Sequence, residues 1–386
     1  MEKVLFISSR PLYPIISGIQ IRTVQQLEFL LQRYNVDVIY QSEEKEDEKL
    51  LRKQLPKVGK IICFKLPKWK SYLQTLRFLF NRLPLQVNYY YEKKIQAYID
   101  KHLSEYSIVF CNNIRTAQYV IETKNILKCI DFVDALSMNY EKARKRSYGI
   151  WKWIYAIEYK RCSAYEQQVL NSFDRCAIIS EVDKQYLLRH THSLLHIVGN
   201  KVDIPNEALV SRHEDWGNIV FVGKMNYEPN IIAVTYFAEH IFPKLTSCYP
   251  RLRFVIVGAL PDARVQKLAT YKNVIVTGYV DTVEPYYQKA TIVACPMLTG
   301  AGIQNKIIQA MAYGCCVVTT SIGAEGLNIQ HDELAIADED NMARTILSLL
   351  EDKQKRKSMG KAAREYVIKN LSQQVISQQF WKFMNQ

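Results

Sequence analysis

No stretch of this 386-residue chain reaches the ~18 to 20 consecutive apolar residues that a helix needs to span a bilayer. The opening residues, MEKVLFISSRP, carry a strand-like VLFIS but neither a long apolar region nor a small-residue cleavage site. A secretory leader is therefore not expected, and the cytosol is the expected compartment. The nine cysteines stand singly or as Cys315-Cys316, mostly inside apolar runs, without a CxxC pair. That spacing argues against disulfides and zinc and for buried free thiols. His190, His192 and His196 lie close in sequence, yet positions two apart do not share a helix face and no further ligand is near. They are read as solvated, with no metal site. The GxGxxG fingerprint is missing after the first strand, which argues against an ordinary dinucleotide dehydrogenase.

Positive charge and apolar mass are what the chain does hold. Its 51 Lys+Arg against 38 Asp+Glu give a formal net charge of +13, which predicts an acidic partner. At 48% hydrophobic residues, a chain of this length can fill the cores of two domains. Much of the charge sits in two zones. Residues 57–82 interleave Lys and Arg with Phe64, Trp69, Tyr72, Leu76, Phe78 and Phe80, and residues 142–161 are basic at first and then rich in Trp and Tyr. Cations beside rings suit an anionic membrane surface, suit nucleic acid, and also suit helices half buried in their own domain.

In chain order, residues 4–8 read as a buried strand and 10–17 as a loop, because of Pro11 and Pro14. The loop ends at Ser17-Gly18, and a helix carrying Arg22 follows over 19–33. Further strands are expected at 36–40, 60–65, 108–111, 129–133 and 176–179, with helices between them, the alternation of a doubly wound α/β domain. Asp131 and Asp134, in IDFVD, follow a strand end where ligands tend to sit, or else cap the next helix. A second α/β pattern starts after Pro205, with strands at 218–222, 254–257 and 274–276 and a helix over 231–245. Gly223, Gly258 and Gly278 follow its strands, and Gly302 follows the next one. Loops at the C-terminal ends of parallel strands form a ligand crevice, so these four glycines are expected along one edge.

Residues 291–327, TIVACPMLTGAGIQNKIIQAMAYGCCVVTTSIGAEGL, combine a strand at 292–295, a glycine loop, a helix over 303–313 and a strand at 317–319. Helical periodicity puts Ile303, Ile307, Ile308 and Met311 on a core side, and Gly302, Asn305, Lys306 and Gln309 on the other. An ammonium and two amides near a helix start suit an anionic, hydroxyl-bearing ligand such as a nucleotide-sugar. They equally suit a helix with a solvated polar face.

FVGK at 221–224, VGALPD, VTGYV, GAGIQNKIIQAMAYG and TTSIGAEGL together resemble the donor-binding domain of the retaining GT-B glycosyltransferases of glycosyltransferase family 4. SGIQIR, IDFVDALS, YEQQV, IISEVD and IVGNKVD resemble its first half more loosely. The resemblance implies an α/β protein of two Rossmann-like doubly wound domains facing across a cleft. An acceptor domain would cover 1–200, joined by a last helix at 372–386, and a nucleotide-sugar domain would cover 201–371. It implies a metal-independent, hexosyltransferase-like enzyme without a cofactor. Such an enzyme moves a sugar with retention from a nucleotide-sugar donor to a glycan or lipid-linked acceptor in cell-surface polysaccharide synthesis. A catalytically weak nucleotide-sugar-binding homologue is the alternative.

Position by position, Gly18 matches the family's glycine loop beside the donor phosphates, with Ile19 where a second glycine is expected and Arg22 in the same helix. Lys224 and Lys306 stand where they would balance the diphosphate. Gly223, Asn226, Gly258, Gly302, Ile303, Gln304 and Asn305 would line the donor, and Gly278, Tyr279 and Val280 match the stretch that contacts the base. The family's Glu, seven residues, Glu motif is replaced by Ala301 and Gln309, of which Gln309 can accept a ribose hydroxyl bond. Asp134, with Asp131 and Asn113, is a candidate base. The remaining expected partner is an anionic membrane surface at the inner face of the cytoplasmic membrane, and not nucleic acid. No metal is expected, because Asp338-Glu339-Asp340, the only DxD string, precedes a helix at 342–350 that it would cap.

Overall fold

A computed structural model describes residues 2–15, 18–43, 48–189, 191–206, 214–300, 302–329 and 332–386, so Ser17, His190 and Ala301 lie outside the described residues. Two compact units result: Met1–Asn200 with Ile376–Gln386, and Lys201–Val375. Among the described residues no helix is long and apolar enough to cross a membrane.

The first unit is built on seven strands: β1 (Lys3–Ser8), β2 (Asn35–Ser42), β3 (Ile61–Lys65), β4 (Ile108–Asn112), β5 (Leu127–Asp131), β6 (Arg175–Ile178) and β7 (Leu195–Ile197). They pair in parallel in the order β3-β2-β1-β4-β5-β6-β7. Runs such as VLFIS and IVFCN are apolar without alternation because helices cover both faces of a parallel sheet. Phe6 and Phe110 stack on adjacent strands at 5.3 Å, and Phe380 of the helix Gln373–Asn385 packs on Phe110 and on Phe29 of the helix Gly18–Leu30.

Arg22 ties this unit together from inside. The side chain is fully buried, and its Nε and Nη2 donate to the two Asp131 carboxylate oxygens at 2.6 and 2.7 Å. Its Nη1 donates to the Val198 carbonyl at 2.7 Å and to Asn200 Oδ1 at 3.0 Å. Gln26 Nε2 adds a third donor to Asp131 at 2.6 Å. One guanidinium thus fastens the first helix to the end of β5 and to the segment that leaves β7.

The second unit holds β8 (Asn218–Val222), β9 (Arg253–Val257), β10 (Val274–Val276), β11 (Ile292–Cys295), β12 (Val317–Thr319) and β13 (Ala335–Ile336), in the order β10-β9-β8-β11-β12-β13. The order reverses between β8 and β11, as it does between β1 and β4 in the first sheet. The turns after β8 and β9 touch backbone to backbone: Gly258 has φ +152°, and a Cβ there would lie 1.7 Å from the Gly223 carbonyl oxygen. Only glycine fits.

Four expectations need correction. The helix expected over 231–245 begins at Glu228, opens into a π-turn at Phe237–Ile241 and continues over Phe242–Cys248. Pro243 has no N–H to donate and its ring crowds the carbonyl four residues back, so the ladder widens there. The helix expected over 19–33 stops at Leu30, after which Gln32, Arg33 and Tyr34 bond back onto Phe29 and Leu30 in tight turns. His196 is not solvated; it lies buried in β7, where burial and then Lys382 push its pKa below the ordinary histidine value. Cys63 and Cys248 are exposed rather than buried, while the other seven thiols are buried.

Replacing Arg22 with Leu strands a fully buried carboxylate. The expected cost is about 3–5 kcal/mol of stability, read as a lower urea midpoint by intrinsic fluorescence. A loss below about 1 kcal/mol would show that the pair is not a strut.

Candidate functional site

In an open parallel sheet the ligand crevice lies beyond the carboxyl ends of the strands where the order reverses. In the second unit that point carries the β8 turn and the loop from β11 to the helix Asn305–Ala312. These segments meet directly, since a Cβ on Gly300 would lie 3.6 Å from Gln304 Nε2 and 3.9 Å from Pro229 Cβ. Gly223 packs against Asn230, whose Nδ2 donates to the Lys224 carbonyl at 3.0 Å. Gly258 donates its N–H to the Gly278 carbonyl at 3.2 Å. Gly223, Gly258 and Gly278 therefore do share one edge.

Lys306 is the charged group at this point. Its Nζ donates to Gln304 Oε1 at 2.8 Å, lies 3.5 Å from Met297 Sδ and stands 5.6 Å from the centre of the Phe221 ring. Among the described residues it has no carboxylate partner. Burial pushes its pKa below the ordinary lysine value, opposed by Cys295. Placed in the first turn of a helix, the ammonium also opposes the helix's own positive end, and an anion relieves both at once.

Other expected donor residues divide. Ile307, Ile308 and Met311 are fully buried, as the periodicity required. Asn305 and Gln309 are half-buried on the Lys306 side, Asn226 and Tyr279 are exposed, and Val280 is half-buried. Ile303 turns toward Gly326, whose φ is +85°. Gln304 is committed inward: its amide donates to the Gly302 carbonyl at 3.1 Å while its oxygen holds Lys306, so it positions the lysine instead of facing a ligand. Glu228 is occupied by Arg264 at 2.8 and 2.7 Å. Asp338 accepts from the N–H and side chain of Asn341 at 2.9 and 3.1 Å, just before the helix Met342–Glu351. Among the described residues no group of three or more His, Cys, Asp or Glu could hold a metal ion.

At the first sheet, Gly18 starts its helix at the C-terminal side of β1. Arg22, expected near donor phosphates, is corrected to a buried strut, because Asp131, Val198 and Asn200 take its N–H groups. Asp131 is lost as a base for the same reason. Asn113 and Val133, just past the ends of β4 and β5, have φ of +75° and +70°, the second a strained value for a β-branched residue. Asp134 follows, accepting from Asn139 Nδ2 at 2.7 Å; burial and then Asp183 push its carboxyl above the usual range. Arg10 and Arg115 were passed over in the sequence, and their place just beyond β1 and β4 was the available signal.

The two basic, aromatic zones form helices with uncovered apolar side chains. Trp69, Leu73, Leu76, Leu79 and Phe80 are exposed, Phe80 to 89%, as are Tyr148, Ile150, Trp151 and Trp153, the last to 74%. Arg161 joins the zones by donating to the Phe78 carbonyl at 3.2 Å and lying over its ring. A pocket of about 550 Å³ beside them is lined by Arg144, Lys145, Lys152, Trp153 and Ala156.

Residues 217–352 match the family described as Glycosyl transferases group 1. An uncharacterized 44.6 kDa protein in the cps region of Klebsiella pneumoniae is 25% identical over 369 residues, 88% of each chain. Sucrose-phosphate synthase from Thermosynechococcus elongatus superposes with a TM-score of 0.72 at 16% identity, over 100% of this chain and 98% of that one. HepE of Anabaena, in complex with UDP and glucose, gives 0.69 at 14% identity, over 100% and 99%. The fold is GT-B, with one Rossmann-like sheet in each unit.

Near Asp134, Glu166 accepts from Ser137 through both its N–H and its hydroxyl, and burial pushes its carboxyl up to about 7. The native state thus binds this proton more tightly than the unfolded chain does. Stability is expected to fall by up to about 3 kcal/mol as pH rises from about 4.5 to 7. Glu166→Gln should flatten that slope in urea titrations across this range; an unchanged slope would assign it to other groups.

Proposed function

We propose that this chain is a retaining glycosyltransferase that moves a sugar from a nucleotide-sugar to a glycan or lipid-linked acceptor in cell-surface polysaccharide synthesis. The observation that carries the reading is Lys306, a desolvated ammonium with no carboxylate partner among the described residues, at a helix start on the switch point of the second sheet. A nucleoside diphosphate is the leaving group that such a point stabilises. The family match over 217–352 supports the same reading, and the UDP of HepE makes a uridine nucleotide the first donor to try.

In this mechanism Lys306 and Lys224 hold the diphosphate and Gln309 accepts a bond from the ribose. The bond from the anomeric carbon to the phosphate oxygen breaks with its electron pair on the phosphate. The acceptor oxygen bonds to the same face of that carbon, and the hydroxyl proton passes to the departing phosphate. No metal is required, since cationic side chains and a helix end neutralise the leaving group. Gln309, standing where the resembled family has Glu, favours a second reading, a homologue that binds donor without turning it over.

Titration with UDP, together with UDP release from UDP-sugars, tests both readings. Lys306→Ala should weaken UDP binding at least about tenfold, the worth of a charge-assisted hydrogen bond, and Lys224→Ala less. Turnover should persist in EDTA. Binding without release, restored to turnover by Gln309→Glu, would favour the second reading, and equal small losses at both lysines would sink the phosphate assignment.

The exposed rings at Trp69, Phe80, Trp151 and Trp153, beside the pocket of Arg144, Lys145 and Lys152, support attachment to an anionic membrane surface at the cytoplasmic side. The protein should float with vesicles containing phosphatidylglycerol and be released as salt rises. Trp153→Ser with Lys152→Ser should cut flotation severalfold; equal recovery with neutral vesicles would refute the electrostatic part.

A further inference from the structure

Two guanidinium groups with no carboxylate partner among the described residues flank the switch point of the first sheet. Arg10 lies just beyond β1 and Arg115 just beyond β4, the strands between which the order reverses. Both stand over the ring of Tyr90, at 5.8 and 4.9 Å from its centre, and Arg10 Nε donates to the Tyr90 hydroxyl at 3.1 Å. Tyr90 is itself held in place, because its carbonyl accepts from Gln41 Nε2 at 2.6 Å and from the Tyr119 hydroxyl at 2.9 Å.

Arg115 is only 8% exposed. Its Nε donates to Gln86 Oε1 at 2.9 Å, but its Nη1 is buried without a hydrogen-bond partner. Arg22, Arg161, Arg189, Arg253, Arg264 and Arg356 all form ion pairs, whereas among the described residues Arg10 and Arg115 have no carboxylate partner. Arg22, still more deeply buried, satisfies its charge with a bidentate carboxylate, so this fold can supply a partner when one is wanted. Burial lowers the pKa of Arg115, and the charge of Arg10 adds to that, against the pull of Tyr90 and Asp134. Like charges brought together on one ring, with a donor left over, are complementary to an oxyanion, which a guanidinium binds through paired N–H groups.

We propose that Arg10 and Arg115 form an oxyanion-recognition point, so that the acceptor of this enzyme carries a phosphate or carboxylate group. The word acceptor rests on the transferase reading; the binding of an oxyanion does not. Calorimetric titration of the whole protein with geranyl diphosphate and with methyl glucuronide, each at saturating UDP to fill the donor site, tests it. Binding of the first probe alone identifies a lipid diphosphate, and of the second alone an acidic sugar. Either supports the proposal if Arg115→Gln and Arg10→Gln each weaken it at least about tenfold while UDP affinity stays within twofold. Arg115→Lys, which keeps the charge but loses the planar fork, should fall between. If Arg115→Gln fails to fold, Arg10→Gln at a less buried position decides. Saturable binding of neither probe at millimolar concentration overturns the proposal, as does equal affinity in all variants or a loss confined to Lys306→Ala. A wild type that ignores UDP yet binds a probe through the two arginines would refute the transferase reading and leave the oxyanion point standing.

Discussion

The buried pair of Arg22 and Asp131 is the constraint on which the first unit depends. Two ions removed from water are tolerable only if nearly every donor and lone pair is used, and here the guanidinium has a carboxylate, a carbonyl and an amide while the carboxylate has a second amide. The geometry requires the first helix, the end of β5 and the exit from β7 to be in place together. The strands around it add apolar area, which is plentiful but does not specify direction. The ion pair does, because removing either member strands the other.

Against that fully satisfied arginine, Lys306 and Arg115 are defined by what they lack. Each is desolvated, each stands where a sheet reverses its order, and each is held by neutral groups: Gln304, Met297 and Phe221 for the lysine, Gln86 and Tyr90 for the arginine. Neutral support fixes orientation without cancelling charge. Such a field needs no rearrangement when an anion arrives, which is the physical meaning of preorganisation. The two sheets thus repeat one solution, with the cation on a helix after β11 in one and beyond β4 in the other.

The strands were the most legible part of the sequence. Those at 218–222, 292–295 and 317–319 coincide with β8, β11 and β12, because a strand buried on both faces is written as an almost uninterrupted apolar run; the one at 274–276 coincides with β10, an edge strand that is apolar although its Ile275 is exposed. β7 was hidden by His196, a polar letter inside three residues, whose burial depends on helices far away in sequence. The site was legible as glycines and lysines at strand ends, but the partners of those side chains were not. Nothing near Arg22 announces Asp131, which lies 109 positions away. Gln304 looked like a ligand contact because it sits beside Lys306, and only the backbone turn at Gly302 sends it inward. Arg10 and Arg115 carry no motif at all; what marks them is an unpaired donor at depth, a property of three dimensions.

The helix Gln373–Asn385 gives the first unit an unusual place in time. Phe380 and Phe383 pack on Phe110, Phe380 also on Phe29, and Trp381 lies against Tyr34 with Arg33 over its ring at 4.0 Å. These partners are translated first, yet Ile376–Gln386 follow the whole of the second unit. A ribosome adding about 5–20 residues per second leaves that apolar face open for roughly ten seconds or more. During that interval the second unit, whose residues are contiguous, can close on its own. The first unit is therefore completed only after the second has been made, and it is exposed to chaperones and proteases for as long as the helix Gln373–Asn385 is unmade.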